Sequence, residues 1–269
     1  WADAKFVGVP VEPVPAEGVE ITAQRISYEE GTTIKEGRKA YLTASPLPVD
    51  ATDEIVSWTS ADTSIATVEF DGEECVVTGV KAGTVEITAT TNTGATGTIE
   101  INVLEKKEAK PLRRVVDRDH ILYLENYYWS DDFANKNDVA GNVPQEDRVD
   151  SPVMLWNTVP DSLKENTVIL LIAERSLNNT DAIKQWIKDN VELCNANNIP
   201  CAVQNVNGET TMNNPIPIEF WEELAQNNPY LVGFNGAELY NRFNGDAREY
   251  MVDLIQMGVE NGIHMMWTD

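Results

Sequence analysis

The chain has 269 residues, room for two domains or one large one, and its 42% hydrophobic and 24% charged content is ordinary globular usage that can bury a sizeable core. A net charge of −24, from 44 acidic against 20 basic residues, argues against a phosphate backbone as partner and leaves uncharged or cationic ones. No run approaches the ~20 apolar residues of a membrane span, and the opening residues WADAKF show neither the basic nor the apolar region of a signal peptide.

Residues 1–18 are Pro-rich and read as a linker. From residue 19 to 104 the chain breaks into short alternating or β-branched runs: VEITAQRISYE, KAYLTASPLP, EIVSWTS, IATVEF, ECVVTGV, TVEITATT and GTIEINVLE. Gly, Asp, Asn and Pro punctuate them. About seven short strands with turn signals between them predict an antiparallel β-sandwich, with Trp58 as a core anchor. No cysteine pair braces its two sheets, since Cys75 has no neighbour in sequence. Residues 105–114, inside LEKKEAKPLRR, are charged and aperiodic and read as a second linker.

Two stretches of the first half, WTSADTSIATVE and GVKAGTVEITATT, resemble the bacterial immunoglobulin-like group 2 family. There, a Trp-x-Ser segment precedes a turn and an Ile-Ala-x-Val strand, and a Gly-x-x-x-Gly-Thr turn leads into the penultimate strand. The resemblance implies a spacer or adhesion module of surface-attached or secreted bacterial proteins, without catalysis of its own.

The pattern changes over residues 115–269. DHILYLENYYW predicts a strand over 120–125, NTVILLIAE one over 166–174, IPCAVQNVNG the next, YLVGFNGAE a fourth and IHMMWTD a fifth. Helices are predicted between them. The first carries Thr180 as N-cap, Asp181 in its first turn, and Ile183, Ile187, Val191 and Cys194 on one face. PIEFWEELAQNN is the second helix. DAREYMVDLIQMGVENG is the third, with Tyr250, Leu254 and Val259 near one face. Continuous apolar strands alternating with amphipathic helices predict βαβ units and a parallel sheet. Cys194 and Cys201 read as buried apolar thiols.

In parallel α/β folds the site sits at the carboxyl ends of the strands. Those ends carry Glu125 with Asn126, Tyr128 and Trp129; Glu174; Gln204 with Asn205; Asn235 with Glu238 and Tyr240; and Trp267 with Asp269. The amino ends are plain turn chemistry. Amides, carboxylates and aromatic faces, with no basic cluster, phosphate loop or nucleophile elbow, suit a neutral polyhydroxylated ligand. Two histidines without HExxH, and no CxxC, predict no transition-metal site and no cofactor. For a sugar, the expected chemistry is glycoside hydrolysis by two carboxyl groups. Glu238 suits the general acid: it follows an apolar strand, has small neighbours in Gly236 and Ala237, and lies near aromatics that reduce its hydration. Spacing alone leaves open that Glu238 caps the next helix or pairs with Arg242.

VPDSLKENTVILLIAERSL, CNANNIPCAVQNVNG and NPYLVGFNGAELY resemble the catalytic domain of glycoside hydrolase family 98 over residues 115–269. That family holds endo-β-galactosidases acting on blood-group and related host glycans, and a xylanase branch. The resemblance implies a (β/α)8 TIM barrel, inversion at the anomeric centre, and the general-acid role for Glu238. A retaining reading fits less well, because Asn235-Gly-Ala-Glu238 does not place Asn directly before the Glu. A (β/α)8 barrel takes ~250 residues, so the α/β half is expected to be truncated after about its fifth strand and inactive as it stands. The implied protein is a secreted or cell-surface, monomeric bacterial endoglycosidase, with an oligosaccharide or glycoprotein glycan as partner. A non-catalytic carbohydrate-binding adhesin is the alternative.

Overall fold

A computed structural model of the chain describes residues 12–24, 27–113, 122–128, 151–174, 180–206, 216–235 and 245–263. The chain divides into two compact units. Unit 1 comprises Trp1–Arg25 and Glu30–Lys106, and unit 2 comprises Ile26–Glu29 and Lys107–Asp269. Among the described residues, no helix is long and apolar enough to cross a membrane.

The described residues of unit 1 contain eight strands: β1 (Gly18–Gln24), β2 (Thr33–Lys35), β3 (Lys39–Leu47), β4 (Ile55–Ser60), β5 (Ala66–Phe70), β6 (Cys75–Gly79), β7 (Gly83–Thr91) and β8 (Thr96–Leu104). They form two sheets, in the orders β1-β3-β6-β5 and β2-β8-β7-β4. Period-two alternation places one set of each strand inside. Val85, Ile87 and Ala89 of β7, Ile101 and Val103 of β8, and Cys75 and Val77 of β6 share one core with Trp58. Trp58 lies against Phe70 with ring centroids 6.4 Å apart, which confirms it as a core anchor. The strand not foreseen, β2, has only three residues and pairs parallel with β8 while the remaining pairings of that sheet are antiparallel. Three residues give periodicity too little to register.

Both motifs of the Ig-like stretch have local physical reasons. In the turn after β4, Asp62 Oδ1 accepts bonds from the Ser64 amide at 2.9 Å and the Ser64 hydroxyl at 2.6 Å, an Asx turn that fixes the way into β5. Gly83 has φ +152, and a Cβ there would meet Ile65 Cδ1 at 3.1 Å, so the turn into β7 requires the glycine.

Unit 2 is built on β9 (Leu122–Tyr128), β10 (Thr167–Glu174), β11 (Cys201–Val206) and β12 (Leu231–Asn235). All four pair parallel, in the sequential order β9-β10-β11-β12. The fifth expected strand, IHMMWTD, falls outside the described residues from residue 264. Helices α1 (Pro152–Thr158) and α2 (Asp161–Lys164) precede β10; α3 (Thr180–Ala196), α4 (Ile218–Asn227) and α5 (Gly245–Glu260) follow β10, β11 and β12. Strands β10 and β11 are apolar on both faces: Ile169, Leu170, Leu171 and Ile172 are buried, as are Cys201, Ala202 and Val203.

The amphipathic reading of α3 holds, since Ile183, Ile187, Val191 and Cys194 are all buried. That of α5 needs a correction. Tyr250, Leu254 and Met257 are buried, but Val259 is 45% exposed. Nine residues at about 100° each carry Val259 half a turn away from Tyr250. Strand β9 also runs on to Tyr128, so Glu125 lies mid-strand, opposite Leu170 of β10. Helices α1 and α2 went unforeseen because, at seven and four residues, neither completes an amphipathic pattern.

Two further segments differ from expectation. The first-half run VEITAQRISYE does not stay extended to its end: β1 stops at Gln24, and Ile26–Glu29 belongs to unit 2. There the Ser27 carbonyl accepts the Ile218 amide at 2.7 Å, and Glu219 Oε1 accepts the Glu29 amide at 3.3 Å. The segment thereby satisfies an amide in the first turn of α4, whose N-cap position is Pro217 and makes no side-chain cap bond. The stretch expected to be a linker is hydrogen-bonded into unit 2 from Lys107 onward. Lys107 N donates to Glu260 Oε1 at 3.1 Å, Lys110 N to the Val259 carbonyl at 3.1 Å and Arg113 N to the Gly262 carbonyl at 3.0 Å.

Candidate functional site

The sequential parallel sheet brings the carboxyl ends of β9 to β12 side by side. Tyr128 pairs with Ala173, which pairs with Asn205. One level below, Tyr127 pairs with Ile172, Ile172 with Gln204, and Gln204 with Asn235. Glu174 stands one level above, opposite Val206. Five of the expected site residues, Tyr128, Glu174, Gln204, Asn205 and Asn235, thus fall within the last three register levels of four adjacent strands. At ~4.8 Å per strand this row is roughly 14 Å wide, the width of a ligand cleft rather than of a single contact. Gln204 is half-buried at that level.

Strand β12 ends at Asn235, so Glu238 stands three residues past its end in the segment leading to α5. Trp129, Glu238, Tyr240, Trp267 and Asp269 lie outside the described residues. Among the described residues, no group of three or more His, Cys, Asp or Glu side chains is arranged to hold a metal ion.

What fixes these strand ends is the packing beneath and behind them. Phe234 of β12 meets the Trp221 ring of α4 edge-on, with centroids 5.2 Å apart. Trp221 Nε1 donates to the Tyr250 hydroxyl at 3.1 Å, which in turn donates to the Ile216 carbonyl at 2.8 Å. This buried chain ties α4 to α5 and both to the strand that carries Asn235. Sequence reading missed it, because Trp and Tyr on helix faces signal burial and not their hydrogen-bond partners.

At the opposite end of the sheet, Arg113 collects carbonyls where chain segments end. Its Nε donates to the Asn261 carbonyl at 2.8 Å, and its Nη1 donates to Asn228 at 2.7 Å and Leu231 at 3.1 Å. Its Nη2 donates to the Ala225 carbonyl. A guanidinium here satisfies carbonyls that the ends of α4 and α5 leave without helical partners, and its charge faces the negative ends of both dipoles. Burial pushes its pKa below the usual arginine value.

Glu219, in the first turn of α4, is an exposed carboxyl that the sequence did not single out. Partial desolvation raises its pKa, and the nearby Glu29 and Glu222 carboxylates raise it further. It accepts the Glu29 amide and so holds the segment at residues 27–29.

A four-stranded, sequentially ordered parallel sheet with polar residues gathered at its carboxyl ends is the arrangement of a small-molecule α/β enzyme. Residues 110–269 match the model of Glycosyl hydrolase family 98, and residues 17–103 match that of the Bacterial Ig-like domain (group 2). The chain belongs to glycosyl hydrolase family 98 and carries a group 2 bacterial Ig-like domain ahead of the matched region. It is 41% identical over 96 residues to a 3-O-alpha-D-galactosyl-alpha-L-arabinofuranosidase of Bifidobacterium longum subsp. longum, covering 35% of this chain and 8% of that protein. It is 38% identical over 76 residues to an A type blood N-acetyl-alpha-D-galactosamine deacetylase of Flavonifractor plautii, covering 28% of this chain and 10% of that protein. Among solved structures, the catalytic module of a family 98 glycoside hydrolase from Streptococcus pneumoniae TIGR4 is similar at a TM-score of 0.44 and 16% identity, covering 59% of this chain and 28% of that one. The chain thus spans about a tenth of the length of these curated relatives.

Proposed function

We propose that residues 115–269 are the opening βα units of a (β/α)8 barrel in a secreted or cell-surface bacterial endo-acting glycoside hydrolase. Its substrate is a host, mucin or blood-group-type glycan, cleaved with inversion and an endo-β-galactosidase-like specificity, and it works as a monomer without a cofactor. The observation that carries this reading is the combination of family membership with an all-parallel sheet in sequential order, whose carboxyl ends hold Tyr128, Glu174, Gln204, Asn205 and Asn235. A sequential order is what a singly wound barrel requires, whereas a doubly wound sheet reverses direction at a switch point.

In this mechanism Glu238 protonates the glycosidic oxygen as the leaving group departs. A second carboxylate, supplied by a later βα unit, activates water on the opposite face of the sugar from about 6.5–9.5 Å away. Gln204, Asn205 and Asn235 hydrogen-bond sugar hydroxyls, Tyr128, Trp129, Tyr240 and Trp267 stack on ring faces, and Glu174 and Asp269 accept hydrogen bonds from further hydroxyls.

The test uses the full-length protein that contains this chain. It is incubated with blood-group and mucin-type oligosaccharides; products are resolved by chromatography, and the first-formed anomer is read by proton NMR. Release of an oligosaccharide with inverted configuration, abolished in Glu238→Gln, supports the reading. Unchanged release in Glu238→Gln removes Glu238 from the mechanism. The group 2 Ig-like domain favours a second reading, a glycan-binding adhesin, which predicts glycan binding with no product from the full-length protein.

A further inference from the structure

The connection that carries Glu238 runs over residues 236–244, from the last residue of β12, Asn235, to the first of α5, Gly245. Both of its flanks lead back to one indole. On the strand side, Phe234, the residue before Asn235, meets the Trp221 ring edge-on with centroids 5.2 Å apart. On the helix side, the Tyr250 hydroxyl accepts the Trp221 Nε1 hydrogen at 3.1 Å. All three side chains are buried, at 2–3% exposure.

Trp221 is itself held in place. Phe220 meets its ring edge-on at 5.2 Å between centroids. The Ile218 amide of the same turn donates to the Ser27 carbonyl at 2.7 Å, and the Tyr250 hydroxyl donates in turn to the Ile216 carbonyl at 2.8 Å, just ahead of that turn. An indole N–H can only donate, whereas a phenol both accepts and donates. The pair is therefore satisfied in one sense: Trp221 gives, and Tyr250 receives and gives on. Any other rotamer of either side chain would strand a polar atom away from water.

These groups stand at the carboxyl-end level of the sheet. Phe234 pairs with Val203, one level below the Gln204–Asn235 pair. Trp221 and Tyr250 lie near the starts of α4 and α5, the helix ends that the tips of β11 and β12 lead into. A chain advances at most about 3.6 Å per residue, so Glu238, three residues past Asn235, stands within roughly 11 Å of the tip next to Phe234.

We propose that Trp221 and Tyr250 are positioning residues for the general acid: their hydrogen bond ties the strand flank of the Glu238 connection to its helix flank and so sets where the carboxyl stands over the sugar. This rests on the role given to Glu238 above. Neither residue touches substrate. With the bond broken, the carboxyl is still present but no longer held at one place, and a misplacement of about 1 Å at the reacting group costs up to about 10²-fold. The loss falls on kcat, since the polar groups at the other strand tips keep their places.

The test uses the full-length protein and an oligosaccharide that it cleaves. kcat and KM are measured for Trp221→Phe, Tyr250→Phe and the double variant, at a temperature where urea unfolding shows each to be folded. Gly262→Ala, destabilised at the opposite end of the sheet, is the control for lost stability alone. Each single variant should lose about tenfold in kcat with KM within about twofold, and the double variant should lose no more than the worse single one, because both break the same bond. Gly262→Ala should keep its kcat. Parent-like kcat in Tyr250→Phe, a change in KM alone, or losses that multiply in the double variant each overturn the proposal. Glu238→Gln is measured alongside. Full activity there, or a full-length protein that cleaves no oligosaccharide, overturns the acid role and this inference with it. Loss in Glu238→Gln with kcat intact in Tyr250→Phe overturns the positioning role alone.

Discussion

The two ends of the parallel sheet in unit 2 are made for different purposes. At the amino end, carbonyls are gathered up: Arg113 holds four of them, and Gly262 and Asn198 turn α5 and α3 back onto the next segment with matching pairs of hydrogen bonds. At the carboxyl end, the strands finish in amides, a carboxylate and a tyrosine within three register levels. One end consumes its polar groups internally, and the other keeps a row of them at the strand tips. Substitutions at the amino end should therefore change stability and leave chemistry alone, and substitutions at the carboxyl end should do the reverse.

The sharpest break with that division would come from Glu238. On its proposed role as general acid, replacing it by Gln in the full-length protein should lower kcat by about 10²–10⁴-fold while the urea midpoint stays unchanged. Arg113→Ala is the mirror experiment. It leaves carbonyls of Ala225, Asn228, Leu231 and Asn261 without their charged partner, and should cost about 3 kcal/mol in urea unfolding with KM unaltered. Arg113→Lys should recover less than half, since an ammonium cannot span four acceptors in one plane. Gly262→Ala comes next. Its φ of +72 and the Pro111 carbonyl, into which a Cβ there would run, predict a loss of about 2 kcal/mol, whereas Asn198→Gly at the matching turn of α3 should be close to neutral.

Tyr250→Phe should cost about 1–2 kcal/mol by stranding the Ile216 carbonyl and the Trp221 indole, without loss of folding cooperativity. The smallest effect is expected at Glu219. Partial desolvation raises its folded pKa above the unfolded value, so the folded state binds more protons between the two, and stability falls as pH rises from the ordinary glutamate range through the raised value. Glu219→Gln keeps an acceptor for the Glu29 amide and should flatten that slope, read as Tm against pH.

Much of this division was visible in residue pattern. The period-two runs of unit 1, and the apolar β10 and β11, announce strands because burial on one face or two leaves a direct mark on the sequence. The stripe of α3 did the same. The failures share a cause. Val259 fell on the wrong face because a count of nearby apolar residues is not a rotation. The run at residues 26–29 was read as strand because its composition is β-like, but its partner is α4, nearly two hundred residues away. Arg113 looked like a charge in a linker because carbonyl acceptors carry no side-chain signature. At the site, sequence reading found the level where polar groups collect, since strand ends are marked by loss of hydrophobicity. It names Glu238 by resemblance and local chemistry, and the distance to a second carboxyl is a three-dimensional quantity with no trace in residue order.

The membership of Ile26–Glu29 in unit 2 bears on biosynthesis. These residues emerge from the ribosome early, inside the stretch that makes the sandwich, yet the amide that the Ser27 carbonyl accepts belongs to Ile218. A nascent sandwich must therefore hold this short loop in waiting until nearly the whole second unit has been synthesised. A clone that starts at Lys107 omits it altogether, leaving the first turn of α4 to open water.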